Sequence, residues 1–151
     1  MTRYENLALN HQLCFALYAA THAITRAYRT GLEQAGLTYT QYLVMMVLWE
    51  KDAVSVGRIA QKLDLDSATL TPLLKRLETS GFIERKRNND DERIVEISLT
   101  KAGDALQDQI AKVQNGVECQ TGLNKNEFVA LKATLNRLVE AMSPSEEKIA
   151  A

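Results

Sequence analysis

The sequence lacks any long apolar run. Across its 151 residues no uninterrupted hydrophobic stretch approaches the roughly 18 residues needed to span a bilayer. The first ten residues carry no apolar core of the kind found in secretory signals, and no internal repeat or low-complexity block follows. We therefore expect a cytoplasmic protein that makes no membrane contact.

Residues that build metal sites and disulfide scaffolds are scarce. The chain has two cysteines, Cys14 and Cys119, and two histidines, His11 and His22. The histidines have no third ligand nearby, whereas zinc takes four close ligands or three plus water, so we expect no metal and no other cofactor. Cytosolic disulfides are usually transient or sensing, so the two cysteines need not form a permanent bridge.

What the sequence does contain is a compact succession of short elements in residues 59–101. Two short helix patterns are joined by a tight turn, and two strand patterns joined by a charged loop follow. Asp66 and Ser67 are helix-capping types placed ahead of leucines that share one helix face. Gly81 lies where a left-handed residue would end that helix. This order predicts a winged helix-turn-helix over 53–100, with its second helix beginning near Ser67.

The second helix carries side chains typical of a DNA-reading helix. The face opposite its leucines has short hydroxyls followed by cations, which suits early turns that meet base edges and later turns that meet phosphates. These candidate contacts are Ser67, Thr69, Thr71, Lys75 and Arg76. Double-stranded DNA is therefore the first partner to consider.

The charged loop, residues 85–93, has no apolar side chain and must project into solvent or onto a polyanion. Its candidate phosphate contacts are Arg85, Lys86 and Arg87. From residue 67 to residue 89 the segment has five cations and two anions, a charge of +3 within a chain of net charge −1. Such a concentration is typical of nucleic-acid binders. The alternative is a hairpin tip that is merely solvated surface.

Three stretches, DSATLTPLLKRLETSGFIER, the triplet DER and IVEISLTKAG, resemble the MarR family of dimeric bacterial regulators. The resemblance extends over nearly the whole chain. It implies that Arg93 enters the DNA minor groove and that Asp91 orients it, which is chemically sensible because a narrow A·T-rich groove attracts guanidinium groups. An Arg93 that only pairs with Asp91 or Glu92 is the alternative.

Outside the winged segment the apolar spacing predicts further helices. They cover residues 11–33, 40–51, 56–63, 101 to about 117, and 125–142. The outer helices are too long to be only supports, so we predict that 8–35 and 101–142 pack with a second subunit. A homodimer would place two recognition helices about 34 Å apart, on a pseudo-palindromic operator.

Length and hydrophobic content agree with a single compact domain. A chain that is 46% hydrophobic over this length can bury one core. We predict a single MarR-like domain over 1–151, mainly α with a small β-hairpin wing.

We expect Cys14 to control DNA binding. On one helix Tyr28 lies about 40° from Cys14 around the axis but about 21 Å along it, so the two side chains can meet only across two chains. An antiparallel pairing of first helices would bring Cys14 of one subunit toward Tyr28 of the other, with Tyr39 as a third member. Phenols that donate hydrogen bonds to the sulfur would stabilise the thiolate, which is the form that reacts with peroxide.

This region resembles the organic hydroperoxide resistance regulators of the MarR family. The resemblance rests on LCFALYAATHAITRAY, on the segment that begins at Tyr39, and on the second cysteine. It implies that Cys14 is peroxidatic, that Tyr28 and Tyr39 of the partner bond to it, and that Cys119 of the other subunit resolves its sulfenic acid as a disulfide. Gly116 and Gly122 weaken helix structure around Cys119, so that this segment could move.

The sequence therefore predicts a transcriptional repressor that releases its operator when an organic hydroperoxide oxidises Cys14. We expect no enzyme activity, since nothing in the sequence supports turnover. One alternative is a MarR-type repressor released by a non-covalent phenolic or carboxylate ligand, in which Cys14→Ser stays inducible. Another is a thiol peroxidase that uses Cys14 and Cys119 and has no operator affinity. Inert packing is the competing interpretation of either cysteine.

Overall fold

The computed structural model describes residues 3–87 and 94–143. The helices are α1 Leu13–Gln34, α2 Tyr39–Glu50, α3 Val56–Leu63, α4 Ser67–Thr79, α5 Lys101–Gln120 and α6 Lys125–Met142. The strands are β1 Val54–Ser55, β2 Ile83–Arg87 and β3 Val95–Leu99. Asp91 and Arg93, with the rest of the loop between β2 and β3, lie outside the described residues. The mainly helical fold with a small β-hairpin is the predicted class.

The antiparallel sheet has the strand order β1-β3-β2. The register of β2 and β3 runs from Ile83 opposite Leu99 to Arg87 opposite Val95. Arg85, Lys86 and Arg87 therefore lie on β2, and their placement in the loop was wrong, because the ladder with β3 continues through all three residues. The two-residue β1 was not predicted, since it is too short to show an alternating pattern.

Helices α3 and α4 form the helix-turn-helix pair. Asp64, with φ 51°, ends α3 in a left-handed conformation. The Asp66 carboxylate accepts a hydrogen bond from the Thr69 backbone N–H at 2.6 Å, and that bond lowers the pKa of Asp66. Helix α4 begins at Ser67, as predicted, and its buried face is formed by Leu70, Leu74 and Leu77.

Helix α2 is the centre of the core. Its first turn is fixed by a capping box, in which Thr38 and Gln41 hydrogen-bond to each other's backbone N–H groups. Its buried residues span more than half of the helix circumference rather than one narrow stripe, and it contacts α1, α3, α4 and β3. These buried residues are Gln41, Tyr42, Val44, Met45, Val47 and Leu48. A helix with so broad an apolar surface must be covered by several other elements.

The chain forms two compact units, Met1–Val117 and Glu118–Ala151. In the first unit, α1 buries Tyr28 and Leu32 but exposes Leu13 and Tyr18 in its N-terminal half. In the second unit, no residue of α6 is buried, although the helix carries exposed large apolar side chains. These are Val129, Leu131, Val139 and Met142. Among the described residues, no helix is long and apolar enough to cross a membrane.

The start of α5 packs closely on Phe82, the residue that precedes β2. A Cβ added at Gly103 would collide with the backbone carbonyl of Phe82, which has little freedom to move. The Gly103 carbonyl also accepts a hydrogen bond from Trp49 Nε1 at 3.1 Å. Glycine at this position is therefore required by the close approach of the two backbones.

Gly103→Ala should lower the free energy of unfolding by about 1–3 kcal/mol, the usual cost of overpacking, as measured by urea denaturation. Gly57→Ala is the matched control, because a Cβ there meets nothing within 4 Å. In a helix that control should be neutral or stabilising by up to about 1 kcal/mol. Equal stability of both variants would contradict the close packing of α5 on Phe82.

Candidate nucleic-acid interface and thiol site

The outer face of α4 presents the predicted contacts to solvent. Ser67, Thr69, Thr71, Lys75 and Arg76 are all exposed, whereas Leu70, Leu74 and Leu77 of the same helix are buried. The Thr71 hydroxyl donates to the Ser67 carbonyl at 2.7 Å, so its oxygen is left to act as an acceptor. The face therefore combines hydroxyl groups in its first turn with two cations in the following turns.

The three cations of β2 differ in whether they pair with an acidic residue of the described chain. Arg85 Nε lies 3.1 Å from a Glu78 carboxylate oxygen and is partly buried, and Lys86 pairs with Glu84. Arg87, like the two cations of α4, is exposed and forms no ion pair with another described residue. Arg85 is thus held against the C-terminal part of α4, whereas Arg87 is the exposed last residue of β2.

Cys14 lies in the first turn of α1. The helix begins at Leu13, two residues later than predicted, and its N-cap residue Gln12 makes no side-chain capping bond. The exposed Cys14 sulfur is 3.8 Å from the Gln12 side-chain oxygen. First-turn backbone N–H groups lack intrahelical acceptors and carry partial positive charge, so this position favours a negatively charged group.

The predicted thiolate donors, Tyr28 and Tyr39, come together at the contact of α1 with α2. Their ring centroids are 5.6 Å apart, and Tyr42 packs against both at 5.3 and 5.9 Å. Cys14 precedes Tyr28 by about 21 Å along the axis of α1, so within one chain it is not part of this cluster. In the sequence alone Tyr42 has the character of a packing aromatic, because its neighbours become visible only in the fold.

The environment of the tyrosine cluster raises the pKa values of two of its phenols. Burial and a hydrogen-bonding interaction with Tyr28 raise the pKa of Tyr42 well above the ordinary range. Burial, with a contribution from Tyr28, also raises the pKa of Tyr39. Both groups therefore remain protonated, and able to donate a hydrogen bond, throughout the physiological pH range.

Cys119 is exposed in the last turn of α5. The helix continues through Gly116 to Gln120, three residues beyond the predicted end near residue 117. A central glycine costs helix stability only modestly, and neighbouring turns can offset that cost. Gly122, with φ +68°, does lie beyond the helix in a conformation that favours glycine.

A cavity of about 330 Å³ lies along the C-terminal half of α1 and the start of α2. This cavity was not predicted from the sequence. The sequence feature that indicates it is the spacing of His22, Arg26 and Arg29, which places these three basic side chains on one face of α1. Its lining residues are His22, Thr25, Arg26, Arg29, Leu32, Glu33, Leu37, Thr38 and Tyr39. Among the described residues, no group of three or more His, Cys, Asp or Glu side chains is arranged to hold a metal ion.

A helix-turn-helix pair followed by a β-hairpin, with hydroxyls and cations on the exposed face of its second helix, defines the class of winged-helix regulators. Family comparison agrees, since the model for the transcriptional regulators SarA/Rot matches residues 26–110.

Two curated relatives indicate more specifically which kind of regulator the chain resembles. The HTH-type transcriptional regulator TtmR of Methylorubrum extorquens is 51% identical over 129 residues, which cover 85% of this chain and 66% of that protein. The chain thus spans slightly less than two thirds of that relative. The organic hydroperoxide resistance transcriptional regulator of Bacillus subtilis is 37% identical over 140 residues, with 93% of this chain and 95% of that protein covered.

A solved structure matches over a similar extent. Reduced AbfR bound to DNA has a TM-score of 0.74 and 35% identity, covering 92% of this chain and 96% of that one. AbfR, from Staphylococcus epidermidis, has also been solved in an overoxidised form bound to DNA and in a disulfide form. The present chain belongs to the MarR family of transcriptional regulators and is of the organic hydroperoxide resistance regulator type, as its sequence predicted.

The raised pKa values of Tyr39 and Tyr42 predict how the stability of the fold depends on pH. A phenol whose pKa is raised by folding stabilises the fold below the unfolded value of about 10, and that stabilisation is lost as pH rises above it. Urea denaturation between pH 8 and pH 11 should show a smaller loss of stability for Tyr42→Phe than for wild type. Tyr4→Phe, at an exposed ring, is the control. Identical pH slopes for Tyr42→Phe and wild type would rule out the perturbed phenol.

Proposed function

We propose that this chain is a homodimeric DNA-binding repressor that senses organic hydroperoxides through Cys14. The observation that carries the proposal is an exposed thiol in the first turn of α1, combined with a Tyr28–Tyr39 pair on the same helix and the next. The Bacillus subtilis relative is named for organic hydroperoxide resistance, and AbfR forms a disulfide. Both support a thiol-based sensor.

The DNA-binding part of the proposal rests on α4 and the sheet. The exposed hydroxyls of α4 are available for base edges, while Lys75, Arg76 and Arg87 are available for phosphates. Arg93, with Asp91 to orient it, is proposed to enter the minor groove, on the strength of the family resemblance. The DNA-bound AbfR structures support duplex DNA as the partner.

Dimerisation would bury apolar surface that the single chain leaves exposed. Leu13 and Tyr18 of α1 are more than 60% exposed, as is Val139 of α6. Large apolar side chains on helices that extend from a DNA-binding module are characteristic of a subunit interface. We propose that α1, α5 and α6 form this interface, and that Cys14 of one subunit thereby meets the tyrosine pair of the other.

The proposed chemistry begins with attack of the Cys14 thiolate on the terminal oxygen of the hydroperoxide. The O–O bond breaks, sulfur is oxidised to sulfenic acid, and the organic fragment leaves as an alcohol after it takes up a proton. The Cys119 thiol of the partner subunit then attacks the sulfenic sulfur, and a disulfide forms with loss of water. Tyr28 and Tyr39 donate hydrogen bonds that stabilise the thiolate before attack.

The disulfide, rather than oxidation of sulfur alone, is proposed as the signal that releases DNA. AbfR remains bound to DNA in its overoxidised form, so in that protein higher oxidation of sulfur is compatible with DNA binding. A covalent bond between subunits, in contrast, constrains the separation of the two recognition helices. A shift of a few ångströms there would remove phosphate contacts on which affinity depends steeply.

Non-reducing electrophoresis and DNA binding, measured together after treatment with one equivalent of cumene hydroperoxide, test the proposal. The DNA would be a duplex selected by reduced wild type from a random pool. We expect a covalent dimer and loss of binding for wild type only. Cys14→Ser should stay reduced and DNA-bound. Cys119→Ser should consume peroxide, form no covalent dimer and keep its DNA.

Three outcomes would contradict this scheme. Release of DNA by oxidised Cys119→Ser would assign the signal to the sulfenic acid. A small phenolic or carboxylate compound that releases DNA from Cys14→Ser would favour a non-covalent sensor. Sustained peroxide reduction with a dithiol, in a protein without DNA affinity, would favour a peroxidase.

Charge substitutions test the DNA interface separately. Lys75→Gln should reduce affinity for all duplexes and make the dependence of log K on log salt less steep by about two, because a dimer loses two phosphate contacts. Lys125→Gln, which removes the same charge at the start of α6, should leave the slope unchanged. A slope for Lys75→Gln equal to that of wild type would exclude this helix face from the interface.

A further inference from the structure

Four aromatic side chains form a continuous series of ring contacts through the first unit. Tyr39 packs against Tyr28 with ring centroids 5.6 Å apart, and Tyr28 packs against Tyr42 at 5.3 Å. Tyr42 in turn packs against Trp49 at 6.5 Å and meets Tyr39 directly at 5.9 Å. All of these contacts are tilted or edge-to-face and lie within the range of direct ring packing. An indole and three phenols are thus linked without an intervening aliphatic side chain.

The two ends of the series reach solvent, whereas its middle does not. Tyr28 and Tyr42 are only 8% and 4% exposed. Trp49 is partly exposed and lines a cleft of about 230 Å³ between α2 and α5. Tyr39 is also partly exposed, and it lines the cavity of about 330 Å³ along α1. The series therefore joins two clefts through a buried pair of phenols.

The order of side chains gives the series a direction for one-electron chemistry. Indoles and phenols both lose a single electron readily, and at neutral pH a phenol is oxidised at a lower potential than an indole. A radical formed at Trp49 therefore passes downhill to the tyrosines. Because burial raises the pKa of Tyr42, its phenol is protonated at neutral pH and releases that proton when it is oxidised. Trp49 is the sole tryptophan of the sequence, so the series has a single indole at which a radical can enter.

We propose that this series carries one-electron oxidations from Trp49 to Tyr39, so that the protein quenches oxygen-centred organic radicals. The radical RO• takes an electron from the Trp49 indole and the proton that the oxidised indole releases, and it becomes ROH. An electron then crosses from a phenol to the indolyl radical, the phenol releases its proton, and the indole nitrogen takes one up. A thiol or enediol that reaches Tyr39 gives a hydrogen atom to the phenoxyl radical and restores the phenol.

This activity goes beyond peroxide sensing, because it uses neither cysteine. Both can therefore be removed for its test, and the double variant Cys14→Ser/Cys119→Ser serves as the parent protein. That background also removes the thiols that would compete for the radical. Loss of the peroxide response in the parent leaves the radical path unaffected, so the two proposals are tested separately.

Pulse radiolysis tests the path, because the azide radical oxidises indole in preference to phenol. In the parent protein the indolyl absorbance should decay as the phenoxyl absorbance rises, at a rate that does not depend on protein concentration. Tyr42→Phe keeps the ring but removes the phenol nearest to Trp49, so it should slow this transfer by an order of magnitude or more. Tyr4→Phe, at an exposed ring outside the series, should leave the rate unchanged.

Tyr39→Phe tests the other end of the series. The radical should still leave Trp49 at the parent rate, because Tyr42 remains. Ascorbate, an enediol, should then quench the phenoxyl signal several-fold more slowly, since Tyr28 and Tyr42 are almost fully buried. A variant that had lost its packing would expose those phenols and be quenched faster, so misfolding gives the opposite result.

Survival of the indole is the functional readout. Oxygen-centred radicals from an azo initiator that decomposes thermally in air, with ascorbate present, should destroy Trp49 fluorescence several-fold faster in Tyr42→Phe than in the parent or in Tyr4→Phe. Equal transfer rates for Tyr42→Phe and the parent, or a rate that scales with protein concentration, would overturn the path and leave the four rings as core packing. Rapid transfer without protection of Trp49 would overturn the quenching activity.

Discussion

The burial of α2 over more than half of its circumference is the constraint on which the rest of the first unit depends. A helix with so broad an apolar surface must be covered by several elements at once, and α1, α3, α4 and β3 supply that cover. The same helix begins at Tyr39 and contributes Tyr42 to the aromatic cluster, while it also contacts the DNA-reading helix α4. The tyrosine cluster and α4 are therefore packed against one rigid element, and a displacement of either is resisted by the same core.

Sequence patterns were reliable where a local rule determines the structure. The Asp66 cap and the leucine spacing placed the start of α4 correctly, because capping and amphipathic periodicity act within one helix. The outer helices were found for the same reason. The resemblance to MarR-type regulators was also carried by local segments, and the comparisons with relatives confirmed it.

The features that were missed or misplaced depend on contacts between elements. Arg85 looks like a loop residue in a charged sequence, but its pairing opposite Ile97 makes it part of β2. Tyr42 looks like core packing until Tyr28 and Tyr39 are seen beside it. The basic cavity needs the start of α2 to close over α1. In each case the deciding neighbour is distant in the sequence, which no local pattern records.

The way α1 is anchored indicates how the proposed oxidation of Cys14 would affect α4. Tyr28 and Leu32 bury the C-terminal half of this 22-residue helix, whereas Leu13 and Tyr18 at the other end are exposed. At about 1.5 Å per residue the helix is about 33 Å long, so a covalent bond at its free end acts far from its fixed end. Because the fixed end packs on α2 through tyrosines, rotation of α1 would be transmitted to the helix that also supports α4. The Cys14 thiol at the exposed end of α1 is well placed for a conformational switch. A bond formed there would displace α1 as a whole before it disturbed the core around α2.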